Sequence, residues 1–353
     1  METADIIIHK ARRSGIKDVD FDNLEFGKYV ADHMLICDYA DGEWLTPQIV
    51  PFTNLSMSPT TLALHYGQTV FEGMKAFRME NGSVNIFRMD KHYERLVRSL
   101  DRMCMAVVPE QVFMEGLRQL VEMDAAWVPD EPGSALYLRP FVYASEARFG
   151  VKVSDQFRFV VFTGPVGPYY PKPLRVKVET EFARAAKGGT GYAKCGGNYG
   201  GAFYPSRLAQ QAGYDQVLWT GGRDNRYIEE SGTMNVMFVI DDVLVTPPLS
   251  DTILDGVTRD SLLRLANDLD YKTAERPVSI AELELAFRNG SLTEAFGVGT
   301  AAVIAPIQTI NIGGRDFHLP EYSHENLMNR IKYRLDAIRT GRHADTHEWN
   351  FVL

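Results

Sequence analysis

A lysine inside an unusually glycine-rich stretch is the strongest chemical signal in this sequence. Gly188 to Gly201 reads GGTGYAKCGGNYGG, with glycine at seven of fourteen positions and Lys194 near the middle. Glycine surrenders more conformational freedom on folding than any other residue, so such density implies left-handed backbone or close approach of the chain to another group. A lysine held in tight backbone, near aromatic rings and out of bulk water, acquires a lowered pKa and serves as a nucleophile or Schiff-base former. The plain alternative, favoured by composition alone, is a flexible loop with a solvated lysine. Tyr192 and Tyr199 weigh against it, because flexible linkers rarely carry bulky aromatics.

Other groups read as anion or charge partners. Gly256-Val257-Thr258 precedes the helical run RDSLLRLANDL, and the N–H groups and positive dipole end of any helix start suit a phosphate. Arg88, closing the strand-like SVNIF, is either a bidentate partner for the same anion or a surface ion pair. Glu229 and Glu230, ahead of Ser231-Gly232-Thr233-Met234, are either holders of a charged nitrogen or solvated loop carboxylates. A P-loop is excluded, since no G-x-x-x-x-G-K-[ST] occurs. Gly297 to Ala302 (GVGTAA) fits the dinucleotide pattern, but Pro306 follows and the residues between are strand-like. No helix is expected to open there, which leaves Thr300 and nearby amides as anion donors only. His343 and His347 lie in a polar tail after Gly341, so no metal is expected. From the residues alone the result is a lysine in a glycine-rich cleft with phosphate sites, and no substrate.

These groups need elements to position them. Met34 to Tyr39, Ser83 to Phe87, Ala135 to Tyr143 and Phe157 to Thr163 read as strands, and Asp90 to Met105 and Glu110 to Ala126 as helices. Along ALYLRPFVY a period of two sets Tyr137 and Arg139 opposite Leu136 and Leu138, and Pro140 implies an edge or a bulge. The first helix is expected to bury Tyr93, Leu96, Val97, Leu100 and Met103. Gly164 to Pro173, with four prolines in ten residues, reads as a linker between an N-terminal domain over 1–163 and a C-terminal domain over 174–353. The second half offers strands at Leu174 to Thr180, Gln216 to Thr220, Met234 to Ile240 and Val243 to Thr246. Ser279 with Glu282 makes a capping box for a helix ending at Gly290, and a last helix spans Ser323 to Thr340. Mixed strands and helices in both halves predict an α/β (α+β) fold class.

The composition narrows the function. A length of 353 residues and a net charge of −9 suit a two-domain globular protein and argue against a nucleic-acid partner. No apolar run is long enough for a membrane, the start METADIIIHK resembles no signal or transit peptide, and three scattered cysteines make no disulfide framework. The expected location is the cytoplasm.

Taken in order, the segments FGKYVADHML, HYGQTVFEGMKAF, LYLRP, KCGGNYGG, EESGTMN, VTPPL, ILDGVTRDSL, EAFGVGTAA and HEWNF resemble the branched-chain amino-acid aminotransferases. These are two-domain, fold-type IV enzymes with pyridoxal 5′-phosphate and a smaller N-terminal domain. Few of the strings are specific singly; the ordered set is. The resemblance implies that Lys194 bonds the cofactor and shuttles the proton, that Glu230 pairs with the pyridine nitrogen and that Tyr199 meets the phenolic oxygen. It assigns the phosphate to Arg88, Val257, Thr258 and Thr300, and the substrate carboxylate to Thr233 and Ala301. Phe26, Tyr66, Tyr137 and Tyr169 would line the side-chain pocket for leucine, isoleucine or valine, with Arg139 receiving the second carboxylate of glutamate or 2-oxoglutarate. A homodimer is implied too. The Cys-x-x-Cys of some animal relatives is replaced by Ala302 and Ala305, so no dithiol switch is expected there. Rival readings are a D-amino-acid aminotransferase or aminodeoxychorismate lyase, a noncatalytic cofactor-binding protein, and an NAD-dependent oxidoreductase.

Overall fold

The computed structural model describes residues 5–170, 172–221 and 224–353; of the segments read above, the first four residues and Pro171 of the proline-rich stretch lie outside the described residues. The chain forms two compact units. Unit 1 runs to Tyr169 and takes in 193–197 and 337–353, whereas unit 2 holds 170–192 and 198–336. Lys194 and the C-terminal tail therefore belong to unit 1, which carries more residues than unit 2 although the smaller domain was expected at the N-terminus.

Unit 1 is built on a ten-stranded sheet. Its strands are β1 (Ile7–Ile8), β2 (His33–Ala40), β3 (Glu43–Trp44), β4 (Gln48–Pro51), β5 (Thr69–Phe71), β6 (Met74–Arg78), β7 (Val84–Phe87), β8 (Ala135–Ala144), β9 (Phe157–Val166) and the last strand of the chain, Asn350–Val352. The order is β1-β4-β2-β9-β8-β6-β7 with the last strand on the far edge; β3 joins β2, and β5 joins β8. Helices α1 (Leu62–Tyr66), α2 (Met89–Arg102) and α3 (Glu110–Met123) complete it. A core that includes Leu35, Met74, Ile86, Leu96, Phe113, Leu138 and Phe159 is fully out of water.

Two expectations need correction here. Pro140 marks neither an edge nor a bulge: β8 pairs β9 along its whole length and faces β5 and β6 on its other side. The proline is tolerated because β5 ends at Phe71 and β6 begins at Met74. Its missing N–H thus faces a break between two short strands, where its carbonyl accepts from Glu72 N at 2.7 Å. The proline-rich stretch does not begin a linker at Gly164 either, since β9 continues to Val166 and pairs Pro165 with Leu136. A Cβ at Gly164 would lie 2.2 Å from the Tyr29 carbonyl oxygen, so only glycine lets that backbone pass. On α2 the buried set is Met89, His92, Arg95, Leu96, Ser99 and Leu100, while Tyr93, Val97 and Met103 are half-buried. The helix turns polar groups inward because a buried carboxylate, Glu72, waits for them.

Unit 2 holds β10 (Leu174–Glu179), β11 (Gln216–Gly221), β12 (Tyr227–Ser231), β13 (Met234–Ile240), β14 (Val243–Thr246), β15 (Lys272–Glu275), β16 (Leu292–Gly299), β17 (Val303–Ile312) and β18 (Arg315–His318); the tail strand Asn350–Val352 is then β19. The order is β12-β11-β10-β17-β16-β13-β14-β15, and β12 also pairs β13, so six strands close on themselves. The helices of the second half are α4 (Gly196–Gln211), α5 (Val257–Asp268), α6 (Ile280–Asn289) and α7 (Leu327–Arg339). Ser279 Oγ accepts from Glu282 N at 3.0 Å, while the Glu282 carboxylate turns to Arg276 instead of closing the box. Helix α7 starts at Leu327 rather than Ser323 because the buried carboxylate of Glu294 accepts the Leu327 and Met328 amides, at 2.7 and 2.9 Å. Among the described residues no helix is long and apolar enough to cross a membrane.

Candidate functional site

In unit 1 the backbone of Lys194 is held at both ends. Its N–H donates to Ser99 Oγ at 2.9 Å, and its carbonyl accepts from Phe71 N at 3.0 Å. Cys195 bridges Val70, and a Cβ at Gly196 would sit 2.4 Å from Thr69 Oγ1. The lysine therefore sits against β5 as a short strand would, which is not the behaviour of a loose loop. Its ammonium lies 4.7 Å from the centre of the Phe71 ring, and on that same ring the Arg139 guanidinium lies at 4.9 Å. Arg139 Nη2 then donates to the Tyr137 hydroxyl at 3.3 Å. The Tyr137 ring meets Phe26 at 5.0 Å, and Phe26 meets Tyr169 at 4.9 Å, both edge-on. A continuous run of contacts thus leads from Lys194 through Phe71, Arg139, Tyr137 and Phe26 to Tyr169. Tyr66 stands apart from it, its ring packed on His65 at 4.4 Å. A Cβ at Gly73 would fall 2.0 Å from the Tyr137 hydroxyl, so glycine there makes room for the phenol.

Beneath Lys194 lies a buried charge cluster that sequence reasoning missed. Arg95 grips Glu72 with two bonds of 2.7 and 2.8 Å, and His92 Nδ1 reaches the same carboxylate at 2.8 Å. Burial works to raise the Glu72 pKa, but Arg95 and His92 outweigh it and hold the carboxyl far below its ordinary value. Burial lowers the His92 pKa, and the charges of Arg95 and Lys194 add to that. Ser99 Oγ, which receives the Lys194 amide, donates to the Arg95 carbonyl at 2.9 Å, tying the lysine to the cluster. Glu72 and Phe71 both fall within HYGQTVFEGMKAF, yet only the fold brings α2 under that strand. Arg88 caps the start of α2 in left-handed backbone at φ 53° and is 2% exposed.

In unit 2 the carboxylate of Glu230 is buried, accepts from Leu254 N at 2.8 Å and lies 3.2 Å from Arg184 Nε. Glu229 takes another role: it points to the opposite side, filling the space where a side chain at Gly221 would go. Burial raises its pKa, and its Oε2 has no partner among the described residues. Arg184 Nη2 also donates to the carbonyls of Gly191 and Thr252. A Cβ at Gly191 would be 2.6 Å from the Asp251 carbonyl oxygen, and Gly188 N donates to Asp251 at 3.0 Å. The first part of the glycine-rich stretch is therefore pinned, and its later part is helical from Gly196. Thr190 and Asn198 close its base through bonds of 2.7 and 2.8 Å. Tyr199 is half-buried in the first turn of α4.

Asn235 is the hub of this unit's polar groups. It pairs Glu230 across β12 and β13 and Val298 across β13 and β16, and its Nδ2 donates to Leu254 O at 2.9 Å. A Cβ at Gly256 would lie 1.9 Å from its Oδ1, so glycine lets α5 start against Asn235. That start carries no side-chain cap, and buried Val257 and Thr258 form the first turn. Thr233 is exposed in the turn between β12 and β13, and Thr300 and Ala301 occupy the turn between β16 and β17, where Gly299 pairs Val303. No helix opens at GVGTAA, so a dinucleotide site is not formed. Among the described residues no cluster of histidines, cysteines and acids could hold a metal. Unit 1 thus supplies a buried arginine and a fastened lysine, and unit 2 a helix N-terminus with no side-chain cap and a buried carboxylate beside an arginine, group types suited to an anion and to a charged nitrogen.

Comparison with known proteins places the chain among relatives. Residues 69–310 match the family model described as Amino-transferase class IV. A probable branched-chain-amino-acid aminotransferase of Staphylococcus epidermidis is 42% identical over 344 residues, covering 96% of each chain. Branched-chain-amino-acid transaminase 1 of Bacillus subtilis is 42% identical over 335 residues, 94% of each chain. Among solved structures, the branched-chain aminotransferase of Thermoproteus uzoniensis with norvaline superposes with a TM-score of 0.75 at 26% identity, covering 91% of this chain and 99% of that one. The branched-chain amino acid aminotransferase of Thermobaculum terrenum in its PLP form shares the fold, with a TM-score of 0.72 at 21% identity over 90% and 97%.

Proposed function

The chain belongs to the class IV aminotransferases, and from that premise we propose how its residues serve the reaction. It is a pyridoxal-phosphate-dependent branched-chain amino-acid transaminase, moving the amino group of L-leucine, L-isoleucine or L-valine to 2-oxoglutarate in a ping-pong cycle. The observation that carries the substrate reading is the run of contacts from Lys194 to Tyr169, aromatic throughout except for Arg139.

When bound, the cofactor supplies an aldehyde carbon for the amino group and a protonated ring that accepts the electron pair left at Cα. Lys194 is the residue that would hold the cofactor through its aldehyde carbon, and its Nζ, when free, would take the proton from the substrate Cα and hand it on. Phe71 beneath the ammonium keeps that nitrogen close and partly dry. Glu230, aligned by the Leu254 amide and Arg184, accepts the ring N–H. Arg88, the Val257 and Thr258 amides and the Thr300 hydroxyl hold the phosphate, and Tyr199 donates to the phenolic oxygen. Thr233 and Ala301 receive the α-carboxylate. Phe26, Tyr137 and Tyr169 take up an apolar side chain by burial, which separates leucine from valine by only about 1–3 kcal/mol, while Tyr66, packed on His65, stands outside that run. Arg139, steadied by Phe71 and the Tyr137 hydroxyl, receives the second carboxylate of glutamate.

We also propose a homodimer. Phe149, Val151 and Leu64 of unit 1 are 90%, 83% and 57% exposed, an apolar cost that a second copy would remove; light scattering of the eluting protein tests this. A cytoplasmic location is supported by the three cysteines, which are all unpaired. The central experiment is the visible spectrum of the holoenzyme with L-leucine and no oxo acid. Leucine should shift the cofactor band to that of the pyridoxamine form, and Lys194→Ala should bind cofactor without turning over. A band that answers D-alanine but not L-leucine would sink the substrate reading.

A further inference from the structure

The last strand of the chain frames Arg88 closely. β19 pairs β7 in antiparallel register, with Asn350 opposite Phe87, so Trp349 arrives beside the residue that follows β7. The Arg88 N–H donates to the Trp349 carbonyl at 2.7 Å, and the Arg88 guanidinium carbon lies 5.1 Å from the Trp349 ring. Trp349 is 4% exposed. On its other contacts it stacks on His347 at 4.3 Å with 12° between planes, and meets Phe87 edge-on at 5.7 Å. The turn before it is itself anchored: Asp345 accepts the amides of His347 and Asn350, at 3.2 and 2.7 Å. The Asn350 side chain donates to Ile338 O at 2.9 Å and accepts from the buried amide of Asn85 at 2.7 Å.

We propose that Trp349 is a positioning residue for the cofactor phosphate, acting through Arg88, and that the C-terminal strap from Asp345 to Val352 exists to present it; this rests on the reading that Arg88 holds the phosphate. Two features make the arginine depend on such a partner. Its backbone has φ 53°, a region that costs any residue with a Cβ and persists only where surroundings enforce it; the Trp349 carbonyl is one enforcer. Its side chain is long, and an arginine laid on an indole face is fixed in plane while its N–H donors, which lie in the guanidinium edge, remain oriented for an anion. His347, stacked on the indole at 4.3 Å, adds a second contact that holds the ring in place.

The test compares two ligands on the apoenzyme: pyridoxal phosphate, and pyridoxal, which keeps the ring and aldehyde and lacks only the phosphate. Dissociation constants are measured by equilibrium dialysis for the parent, Arg88→Gln, Trp349→Leu and Trp349→Phe. Trp349→Leu should weaken pyridoxal phosphate about tenfold and pyridoxal less than about twofold, with Trp349→Phe in between. Equal weakening of both ligands would mean that Trp349 only supports the fold, and would overturn the inference. If Arg88→Gln erases the preference for the phosphorylated ligand while Trp349→Leu keeps it, the inference falls and the role of Arg88 stands. If Arg88→Gln leaves the preference intact, the role of Arg88 falls and takes the inference with it. Should Trp349→Leu not fold, Trp349→Phe decides: a phosphate-dependent loss supports the inference, and parental affinities for both ligands refute it.

Discussion

Glu72→Leu tests the cluster under Lys194 most directly. Glu72 is fully buried and Arg95 is 4% exposed, with two bonds of 2.7 and 2.8 Å between them. Removing the carboxylate strands a buried guanidinium, and breaking a pair of this kind costs about 3–5 kcal/mol. Arg95→Met strands Glu72 and should cost a similar amount. The double variant Glu72→Leu/Arg95→Met leaves no buried charge from the pair and replaces both residues with apolar groups of similar size. It should therefore lie well short of the summed single losses, below the parent by the hydrogen bond that buried His92 loses with the Glu72 carboxylate. Guanidinium unfolding followed by circular dichroism gives the three differences. Because the Lys194 amide hangs on Ser99, one turn from Arg95, the single variants should also lose part of the lysine-bound cofactor band and the double variant should recover it. Single losses below about 1 kcal/mol, or a double loss equal to the sum, would refute the reasoning, since a solvated or uncoupled pair behaves that way.

The same cluster sets an acid limit. Glu72 has a folded pKa below its ordinary value of 4.5, so its stabilisation is present above that value and is lost as pH falls toward the lower folded one. His92, its folded pKa lowered from 6.5, adds a loss in the same direction once the unfolded chain takes up the proton more readily. The gap in stability between parent and Glu72→Gln should therefore narrow below about pH 4.5, as unfolding midpoints against pH would reveal; a gap that widens in acid contradicts the pairing. Gly164→Ala drives a Cβ to 2.2 Å from the Tyr29 carbonyl and should cost about 1–3 kcal/mol, seen as a lowered melting temperature; an unchanged transition would mean that the strands part easily there. Arg139→Leu should cut kcat/KM for 2-oxoglutarate about a hundredfold and leave L-leucine within about threefold. Equal losses for both substrates would place Arg139 in the framework instead.

Local signals carried much of this protein. The strands from Met34, Ala135 and Phe157 and the helix ending at Gly290 with φ 76° follow from period, cap and breaker residues that act within a few positions, whereas α5 begins at Val257, two residues before the run that the sequence marked as helical. The density of glycine around Lys194 announced crowding only in part: Gly191 and Gly196 each stand where a Cβ would collide, whereas Gly197, Gly200 and Gly201 have open space beside them. What those glycines crowd against was not legible, because Thr69 and Asp251 lie far along the chain. The inward polar face of α2 was misread for the same reason. His92, Arg95 and Ser99 look like solvent residues until a carboxylate some twenty residues earlier is buried opposite them and the cost of burying each charge is offset by the other. Pro140 could occupy a central strand only because two neighbouring strands break opposite it, and α7 waited for the carboxylate of Glu294 before it could begin. Sequence by itself determined the elements and the residue types able to do chemistry, since propensity, capping and glycine conformation are local. Only the tertiary structure decided which carboxylate is paired, which arginine is stacked and which amide holds the lysine, because those energies depend on burial and on distances between residues remote in sequence.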